Sequence, residues 1–162
     1  MKDSRIEYIL QTLNPPPGKG LWYGGPSTIG SLKGVNYKQA LWKPDKKRHS
    51  IWELTLHIAY WNYAVKNKLI EGEPAKFPRS PSNWTKIDLK AGEKEWGADK
   101  KLLKTEHGLL IEAIQNFDSK KLDERVPKSS KWTYADLLMG VITHNIYHTG
   151  QIILLKRLYK SK

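Results

Sequence analysis

Apolar residues recur along this chain at the three- and four-residue spacing of helices that bury one face. In residues 3–13 they are Ile6, Ile9, Leu10 and Leu13. The spacing predicts a first helix, ended by Pro15, Pro16 and Pro17, because proline lacks an amide hydrogen and clashes with the preceding turn. The stretch GPSTIGSL that follows either opens a second short helical piece or resumes the first. A sharper start comes at HSIWELTLHIAYW, where Ser50 as N-cap and Glu53 three residues on form a capping box. Leu54, His57, Ile58, Trp61 and Val65 then share one face of a helix predicted to end near residue 71.

Residues 72–92, rich in proline, lysine and serine, read as a long loop. From Glu93 to Phe117 the stripe Trp96, Leu103, Leu110, Ile114 and Phe117 predicts the third long helix. The last opens at Thr133, capped with Asp136 three residues on, and runs without a proline to about Tyr159. No β-alternation and no internal repeat interrupts this pattern. Four helices around one core predict an all-α, single-domain four-helix bundle over residues 1–162.

Composition narrows the chemistry. The chain has 162 residues, 39% of them hydrophobic, enough for a packed core. No apolar run reaches membrane-spanning length, and the charged start MKDSRIEYIL does not resemble a signal peptide, so a cytoplasmic protein is expected. There is no cysteine, which excludes thiolate ligands and a cysteine nucleophile. The net charge of +12 raises a nucleic-acid reading. The basic residues, however, are scattered in short clusters such as Lys46 to Arg48, Lys100-Lys101 and Lys120-Lys121, a pattern of solvated surface. Nucleic acid is therefore not the expected partner.

Two of the five histidines lie in THNIYHTGQ. On a helix, residues four apart differ by about 40° in direction and about 6 Å along the axis, so His144 and His148 can grip one ion. Gln151 falls on the same strip. Two imidazoles make an open site, and His57, on the core face between Leu54, Ile58 and Trp61, is the candidate third ligand, since an unpaired imidazole there would be costly. His49 and His107 read as surface or packing residues. Three imidazoles without a fourth protein ligand describe a catalytic type of site, although nickel, iron or manganese would suit them as well as zinc. A zincin is excluded because Asn145, Ile146 and Tyr147 stand where its base would be. A di-iron bundle is excluded because inward glutamates are missing. Asn145 and Gln151 are candidates for orienting the ligands. Trp61 and Tyr147 are expected mainly in the core.

HSIWELTLHIAYWNYAV, followed some eighty residues later by LLMGVITHNIYHTGQIILLKRL, resembles the DinB/YfiT-like superfamily, with LWYGGPS and ALWKP upstream adding to the match. The resemblance implies a four-helix bundle, one divalent metal, zinc or nickel, and a histidine triad mapping onto His57, His144 and His148. It further implies thiol S-transferase, isomerase or hydrolase chemistry and a homodimer. Where several relatives carry Trp-His-Gly, this chain has Trp22, Tyr23, Gly24 and Gly25, so one histidine near the site is absent. A transferase would join a small-molecule electrophile to a low-molecular-weight thiol, which must come from outside because the protein has none. A metal-dependent hydrolase and a non-catalytic basic nucleic-acid binder are the alternatives.

Overall fold

The computed structural model describes residues 3–16, 18–22, 24–70, 72–73, 75–128 and 131–161. Among them are six α-helices and no strand. They are α1 (Ser4–Leu13), α2 (Thr28–Ser31), α3 (Tyr37–Leu41), α4 (Ile51–Leu69), α5 (Glu93–Asn116) and α6 (Tyr134–Lys160). Helices α4 and α6 begin where the caps predict. Ser50 Oγ accepts from the Glu53 amide while Glu53 Oε2 accepts from the Ser50 amide. Thr133 and Asp136 make the same reciprocal pair. These bonds satisfy amides that have no partner within the helix.

The four longest helices pack in a ring, with α4 against α5 and α6, and α1 against the same two. The fold is all-α, as the apolar spacing predicts. The short α3 was not predicted, because five residues are too few for a periodic signal. The piece at GPSTIGSL forms the separate helix α2.

Helix directions follow from the residues that meet. On α4 and α5, Trp52 pairs with Asp99 and Asn62 with His107, so both numbers rise together and the helices run parallel. On α6, Asn145 meets Asn62 while His148 meets His57, so α6 runs antiparallel to α4. Parallel neighbours need a connection that returns the length of the helix. The segment after α4 must therefore travel back about 28 Å alongside it.

The core divides into two apolar clusters. One gathers Ile51, Trp52, Leu56, Trp96, Leu103 and Ile152. The other gathers Ile6, Ile9, Leu110, Ile114, Leu138 and Ile142. Between them lies a buried polar layer of Asn62, Glu106, His107, Asn145 and Thr149. No helix among the described residues is long and apolar enough to cross a membrane.

Candidate metal centre

His57 on α4 and His144 and His148 on α6 converge at one point between the two helices. One ligand atom of each lies within 4.8 Å of the others, so the three could hold a metal ion. His57 and His148 are 5% and 7% exposed, and His144 is half-buried. The antiparallel crossing explains the meeting. Positions four apart on α6 present two rings to one side, and the core face of α4 supplies the third.

Hydrogen bonds orient two of the rings. His57 Nδ1 donates to the Asn83 carbonyl at 2.9 Å, and His148 Nδ1 donates to Gln151 Oε1 at 2.7 Å. With the proton held at Nδ1, each Nε2 carries a lone pair directed at the shared point. His144 Nε2 lies 3.0 Å from His57 Nε2. Bonds of about 2.1 Å to a single ion place two imidazole nitrogens about 3 Å to 3.4 Å apart, matching this separation. Buried His144 Nδ1 has no hydrogen-bond partner. If His144 Nε2 carries the proton, Nδ1 is left as a buried orphan acceptor. If Nδ1 carries it, two lone pairs face each other at 3.0 Å. A cation at the shared point relieves that confrontation, and the donor set thus fits a metal.

The electrostatics favour the neutral, ligating form. Burial first, and then His148 and His57, push the pKa of His144 down to about 4. Burial also lowers His57, opposed by the Asn83 carbonyl, and lowers His148, opposed by Gln151. Ligation requires deprotonated nitrogen, so the site is prepared for it.

The connection between α4 and α5 completes the site. Trp84 stacks on His57, and Asn83 Oδ1 accepts from Trp61 Nε1 at 3.0 Å. Arg79 ties the same segment to α5 through Asp99, which also accepts from Trp52 Nε1. Neither Asn83 nor Trp84 was anticipated from the sequence. Two signals were present: a tryptophan stranded in a polar loop, and the return path that parallel helices require.

The remaining candidates take other places. Asn145 points into the core and donates to Asn62 Oδ1 at 2.9 Å. His107 is buried and bonded to the Leu13 carbonyl, a packing role. His49 is exposed and stacks on Trp84. Trp61 and Tyr147 are not core residues, being 38% and 64% exposed. Both sit edge-on beside the triad, Trp61 against His57 and Tyr147 against His148. Their helix positions are split between buried and solvent faces, so spacing alone did not place them. Tyr23, at the departure from the Trp-His-Gly pattern, lies outside the described residues.

The family model of the DinB superfamily matches residues 27–152, which takes in α2 to α5, α6 as far as Ile152, and all three imidazoles. The chain belongs to the DinB superfamily. No curated protein and no solved structure matches it. Within this DinB protein the matched segment ends at Ile152, one residue beyond Gln151, so it also holds the hydrogen bond that orients His148.

Proposed function

We propose that this DinB protein holds one divalent ion, zinc or nickel, on His57, His144 and His148, and uses it as a thiol S-transferase. The observation that carries this reading is the convergence of three imidazole nitrogens with no fourth ligand beside them among the described residues, an arrangement suited to catalysis because positions stay open for cosubstrate. When bound, the ion supplies Lewis acidity that favours deprotonation of a coordinated thiol at neutral pH.

The protein's own residues do the rest. Asn83 and Gln151 fix the ring orientations of His57 and His148. Trp84 covers the face of His57 and limits water at that side. The chain contains no cysteine, so the attacking sulfur belongs to an external low-molecular-weight thiol, and the acceptor is a small electrophile. A reduced thiol pool points to a cytoplasmic setting. The resemblance adds a homodimer, which light scattering of the purified protein would test.

Asp136 is the one acid among the described residues lining the adjoining cavity. It is tied up in the Thr133 cap, which leaves a hydrolase without a free carboxylate base there.

The decisive experiment follows consumption of cysteine, as the thiol, by a panel of alkyl halides with and without added zinc or nickel. Metal-dependent conjugate formation that disappears in His144→Ala supports the transferase. Conjugation at the uncatalysed rate with both metals overturns it.

A further inference from the structure

An apolar cavity of about 280 Å³ opens directly on His144. Trp61 and Val65 of α4 and Gly140 and Val141 of α6 form its walls, and Trp132 stands at its edge. Cavities of about 150 Å³ with aliphatic and aromatic walls hold benzene, so this one has room for about twice that ring system. Its chemistry is almost wholly apolar. The exception, Asp136, sits two turns from His144, about 12 Å along the helix. Hydrogen bonds from Thr133 lower the Asp136 pKa and keep it ionised, which disfavours an anion at that end.

We infer that this cavity is the acceptor subsite, and that the electrophile is an uncharged, aromatic molecule of about two fused rings whose reactive carbon is presented toward His144. The inference rests on the proposed transferase reading and supplies its substrate class. Trp61 and Trp132 keep 38% and 59% of their surface exposed at this cavity, apolar area that gains nothing from folding while it faces water. An aromatic acceptor buries them. Transfer to such an acceptor, for example 1-(chloromethyl)naphthalene, forms a carbon–sulfur bond and breaks the carbon–chlorine bond. Chloride leaves with the electron pair and the thiol proton passes to buffer.

Gly140 provides a probe that leaves the imidazoles alone. Gly140 lines the cavity, and a Cβ built there meets nothing within 4 Å, so a larger side chain can take up space at the cavity wall without clashing with backbone. Leucine is also the better helix former, which protects the fold of Gly140→Leu. The test has two arms. In the first, 2-naphthol is titrated calorimetrically into the full chain and into G140L and G140A. In the second, conjugation of cysteine to 1-(chloromethyl)naphthalene is compared with conjugation to iodoacetamide, which is too small to need the cavity.

The expected result is at least about a tenfold loss of 2-naphthol affinity in G140L, near-normal affinity in G140A, and slowed conjugation of the naphthyl halide alone. Unchanged 2-naphthol affinity in G140L overturns the subsite. If conjugation of iodoacetamide nonetheless stays metal-dependent, the transferase reading survives that failure. 2-Naphthol binding lost in G140L, with no metal-dependent conjugation of either halide, leaves an aromatic-binding cavity but overturns the transferase and with it the acceptor role.

Discussion

Trp84 lies flat against His57, with ring centroids 3.7 Å apart and planes 8° from parallel. His49 stacks on the same indole at the same separation and angle. The indole thus fixes the plane of a candidate ligand from a connection 27 residues farther along the chain. The hydrogen bond from His57 Nδ1 to Asn83 fixes its rotation within that plane.

Removal of this support should loosen the ligand without deleting it. Trp84→Ala is expected to weaken zinc affinity by about 10- to 100-fold, the usual effect of losing a group that orients a metal ligand. Competition with a chromophoric chelator measures it. Full affinity in Trp84→Ala would show that the stack plays no part in ordering His57.

Metal content separates the triad from the other buried histidine. His144→Ala and His148→Ala should each abolish stoichiometric zinc in elemental analysis. His107→Ala should keep it while lowering the unfolding midpoint, because the Leu13 carbonyl loses its donor, at a cost of about 1–3 kcal/mol. Equal zinc in all three variants would dissolve the proposed centre.

Acid should destabilise the metal-free protein. His57, His107, His144 and His148 all have folded-state pKa values below the unfolded value of 6.5, with burial the leading cause in each. Between those values the unfolded chain binds more protons, so stability rises with pH across this window. The contribution is complete above about pH 6.5 and is lost as pH falls toward the folded values, about 4 for His144. Urea midpoints in the presence of chelator, at about pH 7.5 and about pH 5, should show the decrease. A flat profile would mean that these imidazoles are not desolvated.

The connection itself hangs on Asp99. Arg79 Nε donates to Asp99 Oδ1 at 2.9 Å, and Trp52 Nε1 donates to Oδ2 at 2.7 Å. Arg79→Ala leaves a carboxylate that is 5% exposed with one partner removed, and should cost about 1–3 kcal/mol in urea unfolding. Zinc affinity should fall with it, since Asn83 and Trp84 ride on the same segment. Arg79→Lys should recover only part of either quantity, lysine lacking the planar fork.

The long helices were legible because each carries an apolar stripe, and α4 and α6 also a cap written in residues three apart, Ser50 with Glu53 and Thr133 with Asp136. The meeting of His57 with His144 and His148 was legible from spacing plus one core-facing imidazole. The parts that were not legible depend on contacts between distant segments. Asn83 holds His57 through a backbone carbonyl, an atom every residue possesses, so no side-chain pattern announces it. Trp61 and Tyr147 lie at the edge of the helical stripe, where a small rotation of the helix decides between core and solvent.

The polar layer across the middle of the bundle has a mechanical consequence. Asn145 donates to Asn62, Asn62 lies 3.5 Å from His107, and His107 donates to the carbonyl of Leu13, the last residue of α1. A purely greasy interior would let α6 slip along α4 by one turn, about 5.4 Å, at modest cost. Here such a slip would strand two amides and an imidazole in a dry environment, each a penalty of about 1–3 kcal/mol. The chain of amides therefore works as a ratchet pawl, and the height at which His144 faces His57 is set by residues that never touch the ion.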